Sequence, residues 1–446
     1  MSLFYRRIIF SGFVLLFCIL VPVVLIYATG NTINWSRLSL EKTGSILIDS
    51  EPNGATVFLN NQKINDSFLG FFVMKNTLVT KAKINNLAPG EYTIKLEKSG
   101  YWPWEEKFRL SPGEVVNFGT IGLFSQVNPE LIYETTKTKA ELSPSGEEII
   151  LISNDLVKFI NINNNDNQEI KISNIDTEAE INWSNDNKKI ALGKFIIDSD
   201  KKTIINLTEE TKKDISLIRW GNNDGIIYFV ANEKILRYTT ATKTISELSL
   251  NSQFNEQNIN DYVIRGDQIY IITNKNNQQN LLIGSIEGKL TSLDLPNGNY
   301  KFETENSPKP VLSNGENIYA IDEPLAIFSK PRLLEISNHF KIGRWQDNSL
   351  TYATGIELRR WDKEGQEYLM TRFGSNINSL WPINSKTSVI VATTDDVRVY
   401  VNGQKPFAIT LAPIKNSKLV TVTKDNKTLY VYGEYENKEG LFKLAL

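Results

Sequence analysis

Few side chains in this sequence have the types and spacing that chemistry requires, and the most suggestive are pairs of carboxylates. Asp395 with Asp396, and Glu434 with Glu436, are acid pairs of the kind that glycoside hydrolysis uses. Each pair lies at the end of a β-branched run beside a turn, where charged side chains normally face water. We therefore predict solvated strand ends at these positions and no catalytic residue.

Two segments rich in Asn and Asp carry the oxygen ligands that calcium prefers. They are the run NNNDNQ from Asn163 to Gln168 and the triplet from Asp198 to Asp200. Both lack the spaced acids and the final bidentate glutamate of a known calcium loop. We therefore expect hairpin tips in water, with no metal ion and no cofactor.

Histidine and cysteine each occur once, as His339 and Cys18. A single histidine excludes three-histidine zinc sites, and it excludes histidine-based triads anywhere but at His339. His339 stands beside Phe340 and is expected to be structural. A single cysteine excludes an internal disulfide framework. The residues before Cys18 loosely resemble a lipobox, but Phe17 occupies its small-residue position, so we interpret Cys18 as an apolar residue within a helix.

Two tryptophans separated by one proline, Trp102 and Trp104, form the one aromatic pair that suggests a ligand platform. Alternate positions of an extended chain lie on the same face, so both indoles could stack on a sugar ring or a partner protein. The alternative is that both rings pack within the neighbouring β structure, since indoles contribute large buried areas.

Near the N-terminus, residues 8–28 read as a transmembrane helix, after a cytoplasmic segment at 1–7. The run from Ile8 to Tyr27 contains no charged residue and has about the ~20 residues needed to cross a bilayer. Arg6 and Arg7 precede it, so the positive-inside rule places the N-terminus in the cytoplasm and the remainder outside. The alternative is a cleaved signal peptide, although its apolar region is usually only ~7–15 residues long.

After a linker at 29–43, residues 44–124 have the pattern of a small β-sandwich. Apolar and polar residues alternate from Ala55 to Asn60 and from Tyr92 to Glu97, which is typical of half-buried strands. Turn residues precede both runs, namely Pro-Asn-Gly before Ala55 and Pro-Gly before Glu91.

The same residues carry a family resemblance. The segment from Gly44 to Leu59 contains Pro52-Asn-Gly-Ala55, and a later segment, from Leu87 to Tyr101, contains Pro-Gly-Glu-Tyr and Ser-Gly-Tyr. In this order they resemble a PEGA domain, except that a longer segment from Asp66 to Lys83 replaces the family's short central turn. The resemblance implies a surface-associated module of cell-envelope proteins and carries over no catalytic residue.

Residues 125–446 repeat one phrase: an apolar residue or Trp, a polar turn rich in Asn, Asp and Gly, then a β-branched strand. Successive copies begin 33 to 48 residues apart, close to the ~40–45 residues of a four-stranded propeller blade. The copies begin at Leu142, Trp183, Trp220, Ile264, Leu312, Trp345, Trp381 and Val422.

This part of the chain resembles a WD40-like or TolB-like β-propeller, with Ser143-Pro-Ser-Gly146 the nearest copy of the family's turn. Eight copies predict eight blades; seven is the alternative, because the copies at Ile264 and Leu312 are the weakest. We further expect the strand from Leu131 to Glu134 to complete the last blade. The predicted fold class is thus mainly β, with a transmembrane helix, a PEGA-type sandwich and a seven- or eight-bladed propeller.

Composition restricts the partners. A net charge of −2 with acids and bases interspersed disfavours nucleic acid. We expect a non-catalytic, single-pass membrane protein whose partners are the bilayer, through residues 8–28, and an envelope protein or polysaccharide. The alternative is a propeller-based glycoside hydrolase or lyase, which would need two or more acids converging on the central channel.

Overall fold

The computed structural model describes residues 3–446 except 35–38, 69–71, 135–138, 154, 165, 174, 178, 249, 251–257, 276–277, 304–308, 323–330, 385–387 and 403–405. Helix α1 (Leu3–Ala28) comes first, and its side chains from Tyr5 to Leu20 are exposed. Its window Tyr5–Pro22 is long and apolar enough to cross a membrane, a test that a signal sequence also passes.

The predicted linker at 29–43 contains a hairpin, which the sequence did not reveal. Strands β1 (Asn31–Asn34) and β2 (Ser39–Lys42) pair antiparallel, with Asn31 opposite Lys42. The pairing uses backbone groups, and the strands' polar side chains leave no apolar alternation to detect.

A two-sheet sandwich follows. Its strands are β3 (Gly44–Glu51), β4 (Thr56–Leu59), β5 (Gln62–Lys63), β6 (Asn65–Phe68), β7 (Phe72–Thr77), β8 (Ala82–Leu87), β9 (Gly90–Glu97), β10 (Trp104–Leu110) and β11 (Val115–Gly122). The strand order is β10-β9-β4-β5 in one sheet and β11-β3-β8 in the other, while β6 and β7 form a separate hairpin.

The Pro-Asn-Gly-Ala turn of the sandwich is fixed by a buried threonine. The backbone N–H groups of Gly54 and Ala55 both donate to the Thr80 hydroxyl, at 3.1 Å each. Ala55 is fully buried, and Gly54 has a φ of +86°, which glycine adopts without strain. The turn residues that suggested the family are therefore those that the packing requires.

The rest of the chain forms antiparallel four-stranded sheets, of which the described residues contain eight. Sheets 1 to 4 consist of β13 (Lys139–Leu142), β14 (Glu148–Ser153), β15 (Leu156–Asn161) and β16 (Asn167–Lys171); β17 (Ile181–Trp183), β18 (Lys189–Leu192), β19 (Phe195–Asp198) and β20 (Thr203–Asn206); β21 (Ser216–Trp220), β22 (Ile226–Ala231), β23 (Lys234–Thr239) and β24 (Thr244–Glu247); and β25 (Asn258–Arg265), β26 (Gln268–Lys275), β27 (Gln278–Ser285) and β28 (Leu290–Asp294). Helix α2 (Leu207–Thr211) links sheets 2 and 3.

Sheets 5 to 8 repeat the pattern. They consist of β29 (Lys301–Glu303), β30 (Val311–Ser313), β31 (Ile318–Asp322) and β32 (Arg332–Ser337); β33 (Ile342–Gln346), β34 (Ser349–Ala353), β35 (Glu357–Trp361) and β36 (Glu367–Arg372); β37 (Ile377–Asn384), β38 (Ser388–Thr393), β39 (Val397–Val401) and β40 (Phe407–Ala412); and β41 (Lys415–Val422), β42 (Thr428–Tyr435) and β43 (Lys438–Ala445) with an early strand, β12 (Glu130–Glu134).

Consecutive sheets pack face to face through apolar side chains. Between sheets 5 and 6, for example, Val311 and Ile318 pack in one buried cluster with Leu350 and Tyr352. Such packing of twisted four-stranded sheets is the architecture of a β-propeller.

The last sheet in chain order, sheet 8, packs against both sheet 7 and the first sheet. Strand β37 of sheet 7 lies against β41 of sheet 8, and the Val420 N–H donates to the Ser379 hydroxyl at 3.2 Å. Sheet 8 in turn packs on sheet 1, with Leu419 and Tyr430 in the same buried cluster as Ile149. In every sheet one edge strand is β13, β17, β21, β25, β29, β33, β37 or β41, and we call these the inner strands.

The predicted completion of the last blade is confirmed. Strand β12 pairs antiparallel with β43, Glu130 lying opposite Lys443 and Glu134 opposite Gly440. Sheet 8 is therefore built from both ends of the sheet-forming region, which removes a free edge from β43.

One copy of the sequence phrase was assigned to the wrong pair of strands. The phrase at Leu312 spans β30 and β31, the second and third strands of sheet 5, whereas the other copies span the first and second. The inner strand of sheet 5 ends at Glu303, which lies 39 residues after Ile264 and 42 before Trp345. The uneven spacing around Leu312 thus came from a shift of one strand.

Candidate functional site

A cavity of about 580 Å³ opens where the turns between first and second strands of sheets 1 to 4 meet. Its wall is mostly polar, and it comes from the ends of inner strands and from the turns that follow them. The residues that line it include Ser145, Trp183, Asn187, Trp220, Asn222 and Arg265. Its size falls within the ~300–1,000 Å³ of typical ligand sites.

Hydrogen bonds between turns of neighbouring sheets hold this wall in place. The Asn185 amide of sheet 2 donates to the Gly221 carbonyl of sheet 3 at 2.8 Å. The Asn222 amide of sheet 3 donates to the Gly266 carbonyl of sheet 4 at 2.7 Å. The turns therefore support one another, so the cavity is largely formed before any ligand arrives.

In the cavity wall, Arg219 on β21 joins four sheets through a largely buried ion network. Its Nη2 lies 2.6 Å from Asp261 Oδ1, its Nη1 lies 3.1 Å from Glu180 Oε2, and its Nε donates to the Tyr262 carbonyl. The other oxygen of Asp261 accepts the Phe302 N–H at 2.8 Å. The side chains of Arg219 and Asp261 are only 6% and 4% exposed.

The electrostatics of Arg219 follow from this placement. Burial disfavours its charge, but the neighbouring carboxylates of Asp261 and Glu180 outweigh that effect, so the pKa of Arg219 is raised. The guanidinium therefore stays charged, and its charge is already neutralised by the protein.

Side chains of sheets 6 and 7 reach the turn of sheet 1 beside the cavity. The Arg344 guanidinium lies 3.5 Å from the centre of the Trp381 ring and donates to the Pro144 carbonyl at 3.4 Å. Gly146, with a φ of +75°, lies so close to Trp381 that a Cβ there would be 2.1 Å from the ring. The turn predicted to mark the first blade is thus covered by an indole.

The acid pairs singled out in the sequence lie at two separate turns of sheets 7 and 8. Asp396 is buried, contrary to the prediction of a solvated acid, and accepts hydrogen bonds from Nε and Nη2 of Arg398 and from the Thr393 hydroxyl. Asp395 is exposed in the same turn. Glu434 accepts from the Asn416 amide at 3.4 Å, and Glu436 forms the β42–β43 hairpin with a φ of 50°. None of these acids is among the residues that line the cavity.

The oxygen-rich segments also bond to themselves or to neighbouring side chains. Asp198 is buried and accepts the Lys201 N–H at 2.9 Å, while exposed Asp200 pairs with Lys188 at 2.6 Å. Asn163 and Asp166 are exposed. His339 is exposed as well. Within the described ranges, His, Cys, Asp and Glu nowhere gather in threes as metal ligands would.

The expected two-tryptophan platform is wrong for one of its members. Trp104 is only 4% exposed and packs in the sandwich core, with its ring edge-on to Phe118 at 5.7 Å. Trp102 keeps part of its ring exposed. Trp104 is the first residue of β10, in which alternate residues such as Trp104, Phe108 and Leu110 are buried, so its ring faces the core.

Glu148, at the start of β14, lines a smaller cavity of about 270 Å³ between sheets 1 and 2. Burial, together with the nearby charges of Asp200 and Glu147, raises the pKa of Glu148 to about 7 although Asn161 opposes the shift. Its Oε2 is buried and has no hydrogen-bond partner among the described residues. The neutral acid is therefore the favoured form of this side chain in the folded protein below pH 7.

We expect Glu148→Gln to stabilise the protein at pH 8 but not at pH 4.5. Between the ordinary pKa of 4.5 and the folded value of about 7, the folded chain binds more protons than the unfolded chain, so wild-type stability falls as pH rises. The amide does not titrate, so the variant should gain about 1–2 kcal/mol above pH 7, an amount reduced by solvent screening. Urea unfolding of both full-length chains in detergent across this range measures it; a pH-independent difference would contradict it.

Sequence reasoning did not find the Arg219 network. The available signal was a charged residue inside an otherwise apolar strand, as in SLIRW from Ser216, and an acid in a similar position at Asp261. A charge in a buried strand must be paired, so such positions indicate contacts between sheets.

Comparisons with known proteins agree with this architecture. Residues 43–121 match the PEGA domain family, which confirms the resemblance drawn from the turn at Pro52. The match covers less than half of the chain and describes the sandwich. No curated protein matches the chain.

Solved structures that resemble the chain contain β-propellers. The β-propeller domain of Cps50 (Swd1) from Myceliophteria thermophila shares 9% identity, with a TM-score of 0.40 over 71% of this chain and 100% of that one. Dipeptidyl peptidase 4 of Porphyromonas gingivalis shares 10% identity, with a TM-score of 0.45 over 67% of this chain and 56% of that one. At these levels the similarity says nothing of function, and the fold rests on the strand pairing itself.

Proposed function

We propose that this protein is a membrane-anchored, extracytoplasmic binding platform that carries out no catalysis. The observation that carries the proposal is the open, largely polar cavity formed by the turns of four propeller sheets. Rigid sheets that present their turns at one place are suited to binding. The proposal is supported by two buried acids, Asp396 and Asp261, which are paired with Arg398 and Arg219.

The anchoring part of the proposal depends on α1. Its apolar window has the length and composition of a membrane span. The sandwich matches the PEGA family, and this resemblance implies a module of cell-envelope proteins. Arg6 and Arg7 precede the apolar run, which favours a cytoplasmic N-terminus and an external propeller.

We expect the full-length chain to remain with membranes after an alkaline carbonate wash, and its sheet region to be cut by protease added outside intact cells. A span of this length inserts stably, whereas a peripheral protein is released by carbonate. The N-terminal sequence of the purified protein is the control, because a chain that starts after Ala28 has lost its anchor. Release by carbonate, or protection from external protease, would contradict the proposal.

The non-catalytic part is tested separately. Full-length protein in nanodiscs should bind isolated envelope material without releasing reducing ends or unsaturated sugars over many hours. Glycan turnover that disappears on replacing a cavity acid such as Glu141 would show an enzyme instead.

A further inference from the structure

The cavity over sheets 1 to 4 has a wall that identifies the chemistry of its ligand. Four asparagines, at 182, 185, 187 and 222, and two serines, at 145 and 184, line it. Amide and hydroxyl groups both donate and accept hydrogen bonds, as sugar hydroxyls also do. A wall of this kind matches a polyhydroxylated ligand better than it matches a ligand that can only accept or only donate hydrogen bonds.

The charges at the cavity favour a neutral ligand. Arg219 is neutralised by Asp261 and Glu180, so it offers little net attraction to an anion. The other charged side chains of the wall, Glu141 and Arg265, are of opposite sign. A polyanion or an acidic peptide would need a cluster of uncompensated cations, which this wall does not present.

Two indole rings supply apolar surface within this polar wall. Trp183 and Trp220 stand at the ends of adjacent inner strands, and both line the cavity. The Trp220 Nε1 donates to the Asn182 carbonyl at 2.9 Å, which fixes one ring against the neighbouring sheet. Trp220 is only 9% exposed, whereas Trp183 is half-buried with its ring edge-on to Phe159 at 6.3 Å. The exposed part of Trp183 therefore offers a rigid apolar contact for the C–H groups of a sugar.

We propose that this cavity binds a short segment of a neutral oligosaccharide. The assignment rests on the binding role proposed above and names its ligand class and its site. Hydroxyls of the sugar bond to the Asn187 side chain and to the amide oxygens of Asn185 and Asn222, whose NH₂ groups hold the neighbouring turns. Its C–H groups contact the exposed part of Trp183.

Isothermal titration of the full-length protein in nanodiscs tests the assignment, with cellotetraose, maltotetraose and chitotetraose as probes. We expect at least one to bind, and Asn187→Gly to weaken it about five- to tenfold, the loss of one hydrogen bond. Glycine suits this position because Asn187 has a φ of 57°. Ser145→Trp, at an exposed position of the wall, should abolish binding by filling the cavity.

The matched control is Asn426→Gly in sheet 8. Asn426 has a φ of 56° and donates its N–H three residues back, to Thr423, just as Asn187 does to Ser184. It does not line this cavity, so the control should bind the sugar as wild type does.

If none of the three neutral sugars binds, the assignment is overturned. It is also overturned if a sugar binds equally well to wild type, Asn187→Gly and Ser145→Trp. Preference for polygalacturonate or for an acidic peptide would overturn it too. These outcomes leave the membrane location untouched. Conversely, sugar binding by a chain that carbonate releases would retain the site and reject the anchor.

Discussion

Asp261→Asn should lower the free energy of unfolding by about 3–5 kcal/mol, because it leaves Arg219 charged and buried with one exposed partner. Asp261 now gives one oxygen to Arg219 Nη2 at 2.6 Å and the other to the Phe302 N–H at 2.8 Å. An asparagine has the same shape but only one accepting oxygen. Its NH₂ group must therefore face one of two donors.

The control for this change is Glu247→Gln, which breaks the Lys234–Glu247 pair at 2.8 Å. Both side chains of that pair are more than half exposed, so we expect a loss below about 1 kcal/mol. Urea unfolding of the full-length chains in detergent measures both changes.

A double variant, Asp261→Asn with Arg219→Met, separates charge from shape. Removing the stranded guanidinium should restore part of the lost stability, giving a coupling free energy of several kcal/mol between the two positions. If the loss of stability in the double variant equals the sum of the losses in Asp261→Asn and Arg219→Met, the network holds the sheets by packing alone.

The sequence was informative where one physical rule decides the structure. Alternation from Tyr92 to Glu97 predicted a half-buried strand because one face of a sheet meets the core. The repeated turns predicted the sheets because every tight connection needs the same polar residues and positive φ values. The early strand at Leu131 was predicted because the last blade lacked its fourth strand.

It was misleading where one pattern serves two structures. The phrase at Leu312 marks a turn between the second and third strands of sheet 5, since such a turn has the same chemistry as one between the first and second. The spacing of Trp102 and Trp104 likewise suggested one shared face, but only Trp104 belongs to β10 and is buried in the core.

The cavity lay beyond sequence reasoning for a different reason. Residues such as Ser145 and Gly266 are 121 positions apart and meet only through the packing of four sheets. Their types are ordinary turn residues, so no local pattern distinguishes them from similar turns elsewhere in the chain.

Gly440→Ala should destabilise the protein by about 1–3 kcal/mol, because the added Cβ has no room. It would lie 2.1 Å from the backbone oxygen of Tyr133 and 2.9 Å from the side chain of Leu131, both on β12. A backbone neighbour cannot rotate away as a flexible side chain can, so β12 must move off β43. Urea unfolding in detergent measures the loss.

Gly374→Ala provides the matched control. Gly374 is exposed, has no atom within 4 Å of the added Cβ, and lies outside the left-handed region, so alanine should be neutral or stabilise by up to about 1 kcal/mol. If β12 completes sheet 8, protease should also cut near Glu130 more readily in Gly440→Ala than in Gly374→Ala. Equal stability and equal cleavage would mean that sheet 8 holds together without its early strand, and the packing of sheet 8 on sheet 1 would then have to support the last sheet alone.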